Sequence, residues 1–371
     1  MLISSKETFM KILALNSSPR GNGQSKTEMM LNALAAGMRE AGAEVEIVDI
    51  RNKKVKNCVG CFSCWTKTPG VCIQKDDMTR ELFPKWLESD LVVYASPLYH
   101  FTVNAAVKAF IERTLPILEP FFIPKKGRTY HPLRSKAPKV VMLSVAGFPE
   151  DSVFDQLSSW VNFIFGSNSI YENALIAEIY RPAAEALTVP YYKDIATDVL
   201  LATHAAGQEL VVSQTISKET MSKITRPIVS NPDDFLELGN LMWKTCIAEG
   251  ITPKEFGAKG LVPRADSARS FLALMKLAFN ADAAGDTDAR LQFNFSGDLE
   301  EACYLSINKG TITGAIGKVD QADLTVNAPF EIWMDIMTKK ADGQQMFMEQ
   351  KYTMEGDLGL LMQMGQFFGQ D

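Results

Sequence analysis

One segment constrains the fold more than any other: residues 11–27, KILALNSSPRGNGQSKT. Ile12 to Leu15 make a short apolar run, long enough for one buried strand. The run breaks at Asn16, and Ser17, Ser18, Pro19, Gly21 and Gly23 stop either strand or helix from continuing. A helical pattern starts near Gln24 or Ser25. Strand, glycine-bearing polar loop and helix N-terminus, in that order, make an anion site, because free backbone N–H groups and the positive end of the helix dipole face the loop. Ser18, Ser25 and Thr27 supply hydroxyls there, and Arg20 and Lys26 supply positive charge. The plainer alternative is an ordinary strand-to-helix turn with a serine N-cap. Neither G-x-G-x-x-G nor G-x-x-x-x-G-K-[ST] is present.

The remaining chain sets the frame for that loop. At 371 residues it exceeds a typical single domain, so two domains are expected. The net charge of -6 comes without a basic run, which argues against nucleic acid as a partner. No apolar stretch reaches membrane-spanning length. Residues 1–9 lack a basic start and an apolar centre, so they read as a loose extension rather than a signal peptide, with Met10 as an alternative start. Four of the six cysteines crowd together without such a signal, which favours a cytoplasmic chain with redox or metal use of its thiols.

Strand patterns recur at 45–48, 91–95, 140–145 and 174–179, with helical patterns at 25–41, 104–113 and 152–165. Apolar strands alternating with helices predict an α/β fold with a doubly wound parallel sheet, whose ligands bind outside the carboxyl ends of the strands. The loops Pro97-Leu98-Tyr99-His100-Phe101 and Ala146-Gly147-Phe148 follow two of those strands. Residues 194–242 read as helical, and 251–264 as a Pro/Gly-punctuated linker. Beyond it, alternating short strands at 291–295, 304–307, 311–316 and 322–326 predict a smaller α+β domain with an antiparallel sheet. The domains are thus expected at 10–250 and 265–371.

Cys58, Cys61, Cys64 and Cys72 are spaced C-x2-C-x2-C-x7-C, and Pro69-Gly70 is a turn signal that returns Cys72 to the other three. Four convergent thiols suit a [4Fe–4S] cluster, zinc, or redox-active thiols without metal, and the spacing leaves all three open. No residue is singled out as a catalytic acid, base or nucleophile.

Ser18-Pro19-Arg20 followed by Gly23-Gln24-Ser25-Lys26-Thr27 resembles the S-P-R-x-x-G-N-[ST] phosphate loop of the NAD(P)H-dependent FMN reductases and iron–sulfur flavoproteins, which have a flavodoxin-like fold. Gln24 stands where that loop usually has Asn. The segment 97–101 is similar to the family's ring-contacting loop, and Ala146, Gly147 and Phe148 correspond to its third flavin loop, where Gly147 would let backbone approach the ring. The cysteine segment, with Asp76-Asp77-Met78 after it, resembles the compact motif of the iron–sulfur members and also that of members carrying only flavin. The resemblance implies FMN as cofactor, NAD(P)H as its reductant, a small-molecule electron acceptor, and a homo-dimer or homo-tetramer.

Residues 265–371 look like a sterol-carrier-protein-type domain, carried by Phe295-Ser-Gly297, Ala322-Asp-Leu-Thr-Val326, Trp333 and the segment 352–368. Seven of the seventeen methionines fall between Met334 and Met364, and the closing helix is apolar on more than one side. That residue choice suits an apolar, lipid-like ligand, with an ordinary core or a subunit contact as the alternative. The function expected is a flavin-dependent oxidoreductase. The alternatives are a one-electron carrier serving another enzyme and a non-catalytic lipid carrier.

Overall fold

The computed structural model describes residues 9–21, 23–125, 127–167, 169, 173–229 and 231–369. The extension read at the N-terminus lies outside the described residues as far as position 8. The chain divides into two compact units, 1–229 and 230–371.

The first unit is built on five long strands: β1 (Lys11–Asn16), β2 (Glu44–Asp49), β3 (Leu91–Tyr99), β4 (Lys139–Val145) and β5 (Leu175–Arg181). They pair in the order β2-β1-β3-β4-β5, all parallel. The order steps outward from β1 in both directions, so a crevice opens between the loops after β1 and β3, the switch point of a flavodoxin-like sheet. Register brings the strand ends level: Asn16 pairs with Ala95, Pro97 with Val145, and Val145 with Arg181. Alternate residues face opposite sides. Leu13, Leu15, Val92, Tyr94, Val140 and Met142 join one core with Phe83, Trp86, Val107, Phe110, Leu157 and Val161. The latter come from the helices α2 (Phe83–Glu88), α3 (Ala105–Glu112) and α4 (Asp155–Ile164). Ile12, Ala14, Val93 and Val141 are buried as well, so both faces are covered.

Helix α1 (Lys26–Glu40) packs over β1, β3 and β4 and against α5 (Lys193–Ser213). Two glycines let those helices touch. A Cβ at Gly37 would stand 1.8 Å from the His204 carbonyl oxygen, and one at Gly207 would stand 2.1 Å from that of Leu34. The helical stretch expected over 194–242 is three helices: α5, α6 (Lys218–Thr225) and α7 (Pro232–Glu249). Gln214 ends the first in a left-handed turn, and the side chains of Ser217 and Asn231 cap the next two.

The second unit starts earlier than residue 265. Leu241 of α7 is buried in its core, and α7 packs on α8 (Ala268–Ala278) with ion pairs Lys276–Asp234 and Lys244–Asp266. The span expected at 10–250 therefore crosses the division of the units. Between these helices, residues 251–264 include a short helix, Pro253–Ala258, with a capping box of Thr252 and Glu255.

The second sheet contains β6 (Asp288–Ser296), β7 (Ala302–Asn308), β8 (Thr311–Ile316), β9 (Leu324–Pro329) and β10 (Thr353–Gly356), in the order β8-β7-β6-β9-β10. It is mixed, not purely antiparallel, because β9 runs parallel to β6. The chain leaves β8 at one edge and must return to the far side of β6. Gln292, buried in β6, serves this crossing: its Nε2 donates to the Gly317 carbonyl and its Oε1 accepts from the Val319 N–H. The helices α9 (Phe330–Met337) and α10 (Leu358–Phe367) bring Trp333, Met334, Met364 and Phe367 into the core with Phe293 and Tyr352, while Leu358 and Met362 are exposed.

Candidate functional site

The loop after β1 is held by buried polar contacts. The Asn16 carboxamide donates to Asp49 at 2.7 Å and accepts from the Ser18 N–H at 3.1 Å. Ser17 donates from both N–H and Oγ to the Ala95 carbonyl, each at 2.9 Å. Asn104, the N-cap of α3, donates from Nδ2 to the Ser17 carbonyl at 2.7 Å, and its own N–H donates to Ser96 Oγ. These contacts fix the loop to the end of β3. Ser25 caps α1 by accepting from the Glu28 N–H, which leaves the N–H groups of Lys26 and Thr27 without an intrahelical partner. Ser18, Ser25 and Thr27 are all buried around that helix start. Hydroxyls, first-turn N–H groups and the dipole end thus share one place, which is chemistry for a phosphate.

Arg20 and Lys26 do not point free. Both pair with Glu185, at 3.1 Å and 2.6 Å. Burial alone would raise the Glu185 carboxyl, but Lys26, and then Arg20, hold it below the ordinary range. Glu185 belongs to the turn Ala184–Thr188, which follows β5. That turn is joined to the third loop by the Ala183 N–H to the Phe148 carbonyl and the Ala184 N–H to the Ala146 carbonyl. Gln24 lies beside this pair, its carbonyl accepting from Lys26 Nζ at 3.5 Å.

The two ring-flanking loops meet. Tyr99, Phe101 and Phe148 are exposed, and the Phe101 and Phe148 rings lie nearly parallel, 6.4 Å apart at 7°. His100 and Phe101 both have left-handed backbones, at φ 47° and 61°. Each costs of the order of 1 kcal/mol or more for a residue with a side chain, and such strain gathers at binding sites. Pro97 and Leu98 lie half-buried at the strand end, and Ala146 is buried behind exposed Gly147.

Cys58, Cys61, Cys64 and Cys72 line one small cavity. The chain coils back on itself to bring them there. Gly70, at φ 84°, donates to the Cys64 carbonyl at 2.9 Å, and Trp65 Nε1 donates to the Leu115 carbonyl. Burial, and then the charges of Cys72, Cys58 and Cys61 as thiolates, push the Cys64 thiol up. A hydrogen bond from the Ser63 backbone lowers that of Cys61. Below the cavity Arg113 of α3's C-terminus makes a bidentate pair with Asp76, at 2.7 Å and 3.0 Å, and donates to the Lys56 carbonyl. Burial would raise the Asp76 carboxyl, but Arg113 and the N–H groups of Lys56 and Thr79 hold it down to about 2. Among the described residues no three His, Cys, Asp or Glu side chains are placed to hold a single metal ion.

Residues 10–179 match the family of NADPH-dependent FMN reductases, and residues 273–369 match the SCP-2 sterol transfer family. The two matched segments follow one another along the chain without overlap. An iron-sulfur flavoprotein of Archaeoglobus fulgidus is 43% identical over 107 residues, 29% of this chain and 46% of that protein. An FMN-dependent NADH:quinone oxidoreductase of Pelagibacter ubique is 26% identical over 50% of this chain and 94% of its own length. Among solved structures, an FMN-dependent NADH-azoreductase of Bacillus anthracis in complex with FMN aligns over 55% of this chain and all of its own, at 14% identity and a TM-score of 0.42. The chain spans about half the length of the first iron-sulfur flavoprotein it matches.

Within the segment that matches the FMN reductases, the residues expected from the sequence fall into two places. Ser18, Arg20, Gln24, Ser25, Lys26 and Thr27 gather at the strand-end crevice, onto which the loops 97–101 and 146–148 also open. The four cysteines gather at the second place, under α3. Sequence reading missed Asn104 and Glu185 as parts of these sites, and it tied Asp76 to the cysteine segment without its partner Arg113. Asn104 had a signal, as an N-cap residue ahead of the 105–112 helix. Glu185 had none, because it reaches its partner Arg20 across 165 positions of sequence.

Proposed function

We propose that this chain is a flavin-dependent oxidoreductase whose FMN occupies the crevice after β1, β3 and β4. The observation that carries the reading is the convergence of three strand-end loops: one rich in buried hydroxyls at a helix start, two meeting in the stacked Phe101–Phe148 pair. Bound FMN would supply hydride and one-electron chemistry, and the protein supplies binding, orientation and electrostatics. Ser18, Ser25 and Thr27, with the N–H groups of Lys26 and Thr27, hold the phosphate, and Arg20 and Lys26 balance its charge. Residues 97–101 and 146–148 flank the ring and keep water from its faces, with His100 as a ring contact. A single phosphate cradle without a second glycine fingerprint suits FMN over FAD. NAD(P)H is the reductant and a small molecule the acceptor, in a cytoplasmic homo-dimer or homo-tetramer. The SCP-2 family domain binds an apolar, lipid-like molecule.

A second reading, a one-electron carrier, is favoured by the four thiols on one cavity. Their number and type fit a [4Fe–4S] cluster, whose ligands stand on four separate iron corners rather than around one ion. Cys58, Cys61, Cys64 and Cys72 would be its ligands.

One preparation tests both. Anaerobically purified protein should carry FMN, and Arg20→Ala with Thr27→Ala should weaken FMN binding at least tenfold, since a hydrogen bond to a charged group contributes about 1.5–3 kcal/mol. Full occupancy in that double variant would remove the site from this crevice. Iron and sulfide assays on the same protein decide the carrier: iron lost with any single Cys→Ser change supports it, and iron-free protein with freely alkylated thiols rejects it.

A further inference from the structure

Arg181 is a buried charge outside both the phosphate loop and the thiol cavity. It ends β5 and is 1% exposed. Among the described residues no carboxylate bonds to it, and Asp151 acts on it only as a more distant charge. Its donors go to backbone carbonyls instead: Nε to Pro182 at 2.8 Å, and Nη1 to Ile224 at 2.7 Å and Arg226 at 2.8 Å. Burial lowers the guanidinium to about 10, which leaves it positive at neutral pH. Burying a charge without an opposite charge is costly, and an anion arriving nearby would offset that cost.

Part of this arrangement is a helix cap. Ile224 lies in the last turn of α6, where a cation is favoured, and the same nitrogen reaches Arg226 just beyond it. The bond to Pro182 serves something else. The Pro182 carbonyl shares a peptide unit with the Ala183 N–H, which donates to the Phe148 carbonyl at 2.7 Å. Guanidinium, peptide and ring-flanking loop are therefore linked in series, and peptide geometry puts the Phe148 carbonyl within about 8 Å of Nε. Ala183 holds that peptide with a left-handed backbone, φ 48°, where glycine would be unstrained. The Arg181 carbonyl in turn accepts from the Ala146 N–H at 3.0 Å, so both ends of the loop 146–148 are tied to residues 181–183.

We propose that Arg181 is a positioning residue that holds the loop 146–148 through the Pro182–Ala183 peptide and biases bound flavin toward its reduced, anionic form. The proposal rests on FMN lying in this crevice. Two electrons and one proton, carried together as the hydride of a nicotinamide, turn the neutral oxidised ring into a hydroquinone with one negative charge. Arg181 exchanges nothing in that step and supplies a fixed positive field. Over about 10 Å at an effective dielectric of about 20, one unit charge shifts an equilibrium about tenfold.

The test uses the full chain as purified, with FMN bound, reduced anaerobically by dithionite against a dye of known potential. The midpoint of bound FMN, set against that of free FMN, gives the preference for reduced over oxidised flavin. Arg181→Gln keeps a donor and drops the charge. It should lower the preference at least tenfold, about 30 mV for a two-electron couple. Arg181→Lys keeps the charge and should stay within twofold at pH 7. A purely structural role would lower the melting temperature of both variants and leave the preference alone. If Arg181→Gln does not fold, Arg181→Lys decides through pH. Burial pushes an ammonium down from a lower starting value than a guanidinium, so its charge fades first as pH rises. Between pH 7 and 9 the preference should fall at least threefold more in Arg181→Lys than in the parent. Equal preference in Arg181→Gln and the parent, or parallel pH curves for Arg181→Lys and the parent, would overturn the proposal and leave FMN in its crevice. A full chain that binds no FMN would overturn it together with the reading beneath it.

Discussion

Lys26 and Arg20 meet the Glu185 carboxylate at the loop where we place the phosphate. Glu185 and a phosphate compete for the same two cations. The Arg20–Glu185 pair is exposed and contributes little, about 0–1 kcal/mol, so an incoming dianion can take Arg20 from the carboxylate, while the more buried Lys26 is the cation the two anions contest. Glu185→Gln should therefore tighten FMN binding about three- to tenfold, with the gain shrinking as salt rises, because screening weakens the competition. Titration of apoprotein with FMN at two ionic strengths measures it. Looser binding in the variant would mean that Glu185 instead orients the cations for the phosphate. At this scale the loop's own donors were legible, since hydroxyls and cations sit within ten positions of one another. The counter-charge was not, because only the folded sheet brings residue 185 to residue 20.

At the scale of elements, the cysteine loop rests on one buried ion pair. Asp76 gathers Arg113 and two backbone N–H groups, and Arg113 in turn holds the Lys56 carbonyl. Removing one charge from a buried pair strands the other, at a cost of about 3–5 kcal/mol. Asp76→Asn should lose stability of that order in denaturant melts at pH 7 and should also loosen all four thiols. Acid acts on the same contact. The Asp76 carboxyl titrates at about 2 when folded, against 3.8 ordinarily, so its stabilisation is complete above about pH 4 and is lost as pH falls toward 2. Melts across that window should show the parent losing about 2 kcal/mol that Asp76→Asn does not lose. The spacing of the cysteines and the turn at Gly70 announced a coiled loop. Its foundation was less visible, because Asp76 and Arg113 are 37 positions apart. The same limit explains the second sheet. Alternation located four of its five strands and missed Thr353–Gly356, and the crossing over Gln292 that turns β9 parallel leaves no mark in a period-two pattern.

At the scale of the whole molecule, the division of the units falls before α7, whose Leu241 is buried in the second core. A chain ending at Val229 should therefore fold, melt in one transition and bind FMN as tightly as the full protein. One ending at Gly250 should expose the apolar face of α7 and aggregate more. Light scattering with FMN titration separates the two, and a failure of the shorter chain to bind FMN would move residues 230–250 into the flavin domain. Helical periodicity over 194–242 could not locate this break, because α7 has an apolar face like those of its neighbours and the core it joins is built from residues after 265.

The glycines where α1 and α5 touch have a consequence for affinity. Gly37 lies eleven residues beyond Lys26, about 16 Å along the helix. A methyl group there would meet a carbonyl oxygen at 1.8 Å, so α1 must tilt or lift to admit it. Its N-terminus, fixed to β1 through a short loop, would move with it. Gly37→Ala should cost about 1–3 kcal/mol of stability, and calorimetry with FMN titration should find affinity falling alongside. The thickness of one carbon atom, at a seam that no ligand reaches, then sets how closely the phosphate loop can shut.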